Sequence, residues 1–274
     1  MQDISDRYPV WLCDVWGVVH DGVESFPPAL DALRRHRKNG GVVILVTNAP
    51  RRRGDIAQQL GELHVDETSY DTVVTSGDAT RELVSRHAGG TIFHLGPERD
   101  TALIAGLDVR FGPLDRADAV LCTGLFDDTV EAPDDYRDLL AKIQARDLDF
   151  ICANPDRIVR RGSALIYCAG ALAERYAAIG GRVEMAGKPH PPIYELARVE
   201  AGRHLGKLPD KSQMLAIGDG PETDIAGATA FGIDALLIAG GISHGHAPDE
   251  LAKAVGERIQ GARIVGALAE LKWG

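Results

Sequence analysis

Leu12-Cys13-Asp14-Val15-Trp16-Gly17-Val18-Val19 is the stretch on which the reading of this chain turns. A short apolar run over residues 10–13 ends at the Asp14 carboxylate, and Gly17 then allows the backbone to turn away. Proteins of the α/β class present reactive groups in this way, at the carboxyl end of a buried strand where such sheets bind their ligands. Runs of the same kind recur at 42–46, 72–74, 214–217 and 235–238, short, apolar and rich in β-branched residues, as buried parallel strands are. Between them, residues 28–38, 52–63, 191–205 and 222–231 carry apolar side chains at three- and four-residue spacing, which predicts helices. Strands alternating with helices imply βαβ units and a doubly wound parallel sheet.

The middle of the chain reads differently. Further strands are predicted at 91–95, 119–122 and 150–153, with helices at 134–145 and 169–179. That is enough for an inserted unit with its own small sheet. The 274 residues can bury a full core, and two modules are expected rather than one.

Composition excludes several classes of function. With 45% apolar and 26% charged residues the chain is an ordinary globular one, and its net charge of −10 argues against nucleic acid or an anionic membrane as main partner. A small phosphorylated ligand stays compatible, because local donors bind an anion on an acidic protein. The first residues show no apolar signal region, and no apolar run reaches the roughly 18 residues of a membrane span. The four cysteines are widely separated and form no C-x-x-C pair, so buried reduced thiols in a cytoplasmic protein are expected.

Four islands place polar residues after predicted strands or just ahead of a helix. Asp14 is the first. The second is Thr47-Asn48-Ala49, a hydroxyl, an amide and backbone N–H groups ahead of a helix, suited to cradling phosphate oxygens. The third is Gly187-Lys188-Pro189-His190, a lone lysine in a stiff loop, and the fourth is Gly218-Asp219-Gly220-Pro221-Glu222-Thr223-Asp224, with two carboxylates five residues apart. Together they supply what phosphoryl transfer to a carboxylate needs. Asp14 is a nucleophile, Asp14 and Asp219 are hard oxygen ligands for Mg²⁺, Lys188 neutralises charge, and Thr47 and Asn48 donate to the phosphate. The run Arg51-Arg52-Arg53 reads as a solvated helix start, kept in view only because it follows the second island.

The set Asp14-x-Trp16-Gly17, Thr47-Asn48, Gly187-Lys188-Pro189 and Gly218-Asp219-x-x-x-Thr223-Asp224-Ile225-x-Gly227-Ala228 resembles the four motifs of the haloacid dehalogenase superfamily. Thr75-Ser76-Gly77-Asp78-Ala79-Thr80 and Ala153-Asn154-Pro155-Asp156 resemble its class IIA branch, which includes p-nitrophenylphosphatase-like and sugar-phosphate phosphatases. The resemblance implies a Rossmann-like α/β core over residues 1–77 and 183–274 and an inserted α/β cap over 78–182. It implies that Asp14 is nucleophile and metal ligand, and that the Trp16 main-chain carbonyl and Asp219 are further ligands of Mg²⁺. Asp224 would support the metal or Lys188, and Thr47, Asn48, Ala49 and Lys188 would hold the phosphate. Asn154 and Asp156 would read the leaving group, although Asn-Pro-Asp is also turn chemistry. The partner implied is a small phosphorylated metabolite, with room left for a homodimer.

One residue departs from the pattern. Phosphatases of the superfamily usually carry a second aspartate where this chain has Trp16, and indole has no useful pKa. Three readings follow. The first is a phosphatase in which His20 replaces the missing acid. The second is a carbon–halogen hydrolase, since the superfamily's dehalogenases carry an aromatic residue there. The third is a weakly active or inactive protein that binds phosphate and Mg²⁺. Intact metal carboxylates favour the first.

Overall fold

A computed structural model describes residues 1–161, 164–240 and 247–274. In chain order its strands are β1 (Val10–Asp14), β2 (Val42–Thr47), β3 (Thr72–Thr75), β4 (Thr91–Leu95), β5 (Arg110–Phe111), β6 (Ala119–Cys122) and β7 (Asp149–Cys152). They continue as β8 (Ile158–Arg161), β9 (Ala164–Tyr167), β10 (Val183–Met185), β11 (Met214–Gly218), β12 (Asp234–Ile238) and β13 (Ile264–Leu268). A six-stranded sheet runs β13-β12-β11-β1-β2-β3 and is parallel throughout. The chain builds from β1 outward on one side through β2 and β3, then returns to build outward on the other through β11 and β12. The order therefore reverses at β1 and β11, and the crevice beyond their carboxyl ends is where such a sheet takes a ligand.

The strands alternate between two cores. Val10, Leu12, Val42, Ile44, Met214 and Ala216 face the helices Pro191–Leu205 and Ala226–Phe231. Trp11, Cys13, Val43, Leu45, Leu215 and Ile217 face the helices Pro27–Lys38 and Arg53–Glu62. Burial on both faces explains the unbroken apolar runs.

A second parallel sheet has the order β10-β7-β6-β4-β5, with β8 and β9 forming a separate antiparallel hairpin. This is a Rossmann-like α/β fold carrying an inserted α/β unit, the class expected. Strand β10 pairs with β7, so the second sheet extends beyond residue 182, where the sequence places the return to the core. One apolar cluster runs from Val46 and Val74 through Ala79 and Leu83 to Leu121 and Ile151, so the two sheets share packing. The helix expected at 222–231 is split: Pro221–Ile225 forms a wider π-type turn before Ala226–Phe231. Asp224 Oδ2 accepts from Gly220 N at 3.0 Å, which draws that carboxylate back toward the strand end. The sequence reading missed β5, β8, β9, β10, β13 and the helices Gln2–Arg7, Ser76–Ser85 and Pro248–Arg258.

His36 on Pro27–Lys38 is fully buried, stacked on Trp11 with ring centroids 3.8 Å apart, and its Nδ1 lies 2.7 Å from Ser5 Oγ. Burial lowers its pKa to about 4, with Asp71 and the main-chain carbonyl of Pro9 opposing. The unfolded chain therefore binds a proton between about pH 6.5 and 4 that the folded chain refuses, so stability falls as pH drops through that window. At about 1.4 kcal/mol per decade the expected loss is about 3 kcal/mol. Urea unfolding at pH 7.5 and 4.5 measures it, and His36→Phe, which keeps the stack, should flatten the difference. An unchanged difference in the variant would refute this account.

Candidate active site

Asp14 closes β1, and Asp219 follows the last residue of β11. The register pairs Cys13 with Ile217, which brings these strand ends side by side. Two glycines let the loops converge. Gly17 has φ +85°, and a Cβ there would stand 2.4 Å from Asp219 Oδ2; a Cβ on Gly218 would stand 2.1 Å from Asp224 Cγ. The carboxylates of Asp14, Asp219 and Asp224 consequently offer oxygens that all lie within 4.8 Å of one another, and all three residues are buried.

Lys188 reaches into this group from the loop ahead of Pro191–Leu205. Its Nζ lies 2.5 Å from Asp14 Oδ1 and 2.8 Å from Asp224 Oδ1. Burial by itself would lower the lysine's pKa, but Asp14 and Asp224 reverse that and hold it well above its ordinary value, so it stays charged. Burial raises the Asp14 carboxyl, Lys188 opposes, and the neighbouring Asp224 and Asp219 raise it further. Three buried carboxylates thus face one ammonium. That excess of hard, negative oxygen fits a divalent cation such as Mg²⁺.

Thr47 ends β2 beside Asp14, its chain neighbour Val46 on β2 being the register partner of Asp14 on β1. Thr47 Oγ1 accepts from Ala49 N at 3.2 Å. Asn48 is occupied differently from the expectation of a phosphate donor. Its Oδ1 accepts from Lys188 N at 2.7 Å, while its Nδ2 donates to Lys188 O at 3.0 Å and to Asp156 Oδ1 at 2.9 Å. The side chain ties the second island to the third.

Trp16 and His20 belong to the turn after Asp14. The Trp16 indole N–H donates to the carbonyl of Arg160 on β8, so the hairpin absent from the sequence reading rests on the turn after Asp14. The His20 ring meets Trp16 edge-on at 5.2 Å, and its Nδ1 accepts from Gly22 N at 2.9 Å. Burial lowers its pKa to about 4, with Asp21 opposing. A ring that is neutral at pH 7 and already engaged at Nδ1 is placed to hold the turn. It is poorly placed to donate a proton.

A cavity of about 120 Å³ opens between Thr47, Ala49 and the inserted unit, walled by Trp16, Asn154 and Asp156. Asp156 N donates to Asn154 Oδ1 at 3.1 Å, so this loop both makes the turn and lines the cavity. The sequence missed Asp100, Thr123, Arg161 and Tyr167 on the same wall, which lie far apart in the chain. Arg51 also lines it, and Arg53 is paired with Asp78 and Glu200 at 3.1 and 2.9 Å. The arginine run is therefore more than a solvated helix start.

Residues 11–110 match the haloacid dehalogenase-like hydrolase family, and residues 185–271 match a HAD-hydrolase-like family. The acid sugar phosphatase of Staphylococcus epidermidis is 28% identical over 244 residues, covering 86% of this chain and 88% of the phosphatase. Among solved structures, a hydrolase of the haloacid dehalogenase-like family from Brucella suis 1330 is 51% identical with a TM-score of 0.87, covering 89% of this chain and 90% of that one. The glycerol phosphate phosphatase of Mycobacterium tuberculosis in complex with magnesium is 26% identical with a TM-score of 0.67, covering 87% of this chain and 70% of that one.

Proposed function

Because this chain belongs to the haloacid dehalogenase-like hydrolase family, we propose that it is a Mg²⁺-dependent phosphatase working through an aspartyl phosphate at Asp14. It is a phosphoric monoester hydrolase, in keeping with its phosphatase relatives. The observation that carries the finer reading is the convergence of Asp14, Lys188, Asp219 and Asp224 at the crevice beside Thr47.

Asp14, Asp219, Asp224 and the Trp16 carbonyl would hold the cation, which when bound offsets the charge of the carboxylates and of the phosphate. Asp14 attacks phosphorus in line with the departing oxygen. Lys188 keeps its charge and steadies the negative oxygens, and Thr47 with the N–H groups of the Asn48–Ala49 loop holds the phosphate. Asn48 positions Lys188 through its two main-chain contacts. The segment between the second and third islands acts as a cap, with Asn154 and Asp156 facing the leaving group of a small phosphorylated metabolite. Four buried free thiols, with Cys122 and Cys152 register partners on β6 and β7, support a reducing, cytoplasmic setting. No helix among the described residues is long and apolar enough to cross a membrane.

With Mg²⁺ present, the purified protein is expected to hydrolyse p-nitrophenyl phosphate, and excess EDTA should remove at least about 90% of that activity until Mg²⁺ is restored. Magnesium binding without turnover would favour the regulatory binder. Metal-independent chloride release from 2-chloropropionate would favour the dehalogenase.

A further inference from the structure

An alkyl phosphate leaves as an alkoxide that needs a proton, and water attacking an aspartyl phosphate must lose one. The residues around Asp14 leave this work unassigned. Trp16 is committed to the carbonyl of Arg160, and His20 holds its own turn through Gly22. Lys188 is held between Asp14 and Asp224. Among the described residues lining the neighbouring cavity, three carboxyl groups remain: Asp100, Asp128 and Asp156. Asp128 is paired with Arg99. Asp100 lines the wall but is only 3% exposed, and its Oδ1, 4.0 Å from Arg51 Nε, is out of reach of solvent.

Resting on the phosphatase reading above, we propose that Asp156 is the proton donor and acceptor of the reaction, delivered to the site by the inserted unit. Asn48 Nδ2 donates to Asp156 Oδ1 at 2.9 Å, and the same amide binds Lys188 O at 3.0 Å. Asp156 is thus one side chain removed from both Thr47 and Lys188, on the wall the leaving group would face. The bond from Asn48 marks Oδ1 as the accepting oxygen. Oδ2, which has no protein partner among the described residues, is then the one that carries a proton.

The loop is held in place for this. Asp156 N donates to Asn154 Oδ1 at 3.1 Å, and Asp156 O accepts from Gly170 N at 3.1 Å at the start of the helix Ala169–Ala178. A Cβ on Gly170 would stand 2.2 Å from Pro155 O, so glycine is what lets that helix approach the loop. Position fixed in advance is what a proton-transfer group requires. Burial holds the Asp156 carboxyl above the ordinary carboxylate range, Lys188 opposes and Asp224 adds to the rise. The thiols of Cys152 and Cys168 lie near it, and Arg51 and Arg161 stand on the same cavity wall.

In the first step an Asp14 oxygen forms a bond to phosphorus as the ester P–O bond breaks, and the proton on Asp156 Oδ2 passes to the departing oxygen. In the second, the Asp156 carboxylate takes a proton from water as the water oxygen bonds phosphorus and the Asp14–phosphorus link breaks. Phosphate leaves, and Asp156 ends protonated, as it began.

The test compares glycerol 3-phosphate with p-nitrophenyl phosphate in the Mg²⁺-loaded enzyme. Asp156→Asn should lose about 10²- to 10⁴-fold in kcat on the alkyl ester. On the aryl ester, whose leaving group needs no proton, it should release about one p-nitrophenolate per site in a burst and then turn over slowly, because the second step still lacks its base. Asp156→Glu should recover part of the loss. Equal losses on both esters without a burst, or an unchanged rate on glycerol 3-phosphate, would overturn the proposal. Wild-type rates across a series of aryl and alkyl phosphates test it without any variant: a donor flattens their dependence on leaving-group acidity, and a steep dependence counts against Asp156. A wild-type protein that hydrolyses neither ester defeats the phosphatase reading itself, which is a different result.

Discussion

Asp14→Asn is expected to lower p-nitrophenyl phosphate hydrolysis by about 10⁴-fold or more, to the level of background. The amide keeps the shape of the side chain but removes the charge and lone-pair basicity that attack phosphorus. It also removes one of three clustered carboxylates, two of which, Asp14 and Asp224, contact the Lys188 ammonium. The same substitution should therefore leave the metal-free protein at least as stable as wild type, because Lys188 keeps Asp224 at 2.8 Å and a repulsive neighbour is gone. Thermal unfolding in EDTA measures this alongside the assay. A variant that retained activity within tenfold would dismiss Asp14 as nucleophile, whatever its stability.

Lys188→Met should have the largest effect on stability. The methionine fills most of the lysine's volume but leaves Asp14 and Asp224, 7% and 5% exposed, without their cation. Breaking a buried ion pair from one side costs about 3–5 kcal/mol, because an uncompensated charge stays inside. Urea unfolding in EDTA should show that loss, and activity should fall with it. Added Mg²⁺ should raise the unfolding midpoint of the variant more than that of wild type, since the cation would then answer all three carboxylates. A variant as stable as wild type to within about 1 kcal/mol would mean that Lys188 does not hold the site together.

Much of this site was legible because its residues sit at strand ends. Asp14 and Asp219 each come after an apolar run and have a glycine within the next three residues, a local pattern that needs no knowledge of distant contacts. The functions of Asn48 and His20 were less legible, although the residues themselves stood out. Asn48 donates to and accepts from Lys188, 140 positions away, and His20 is neutralised by burial that no neighbouring residue announces. The hairpin of β8 and β9 was missed because Arg160 and Arg161 interrupt its apolar residues and it packs little of itself away. It nonetheless supplies the carbonyl that engages Trp16. Arg51 and Asp100 were obscured for a related reason: a charged residue on a cavity wall has the same local sequence as one in solvent.

By itself the sequence determined the α/β class, the strand ends that carry Asp14, Thr47 and Asp219, and Trp16 as the departure among them. Those features follow from periodicity and from the short range of backbone sterics, which a single chain displays directly. Only the tertiary structure decided that Lys188 lies 2.5 Å from Asp14 across 174 positions, that Asn48 is engaged, and that Asp156 stands at the cavity. Burial and distance set charge and reach in a site, and both arise from packing segments that are remote along the chain.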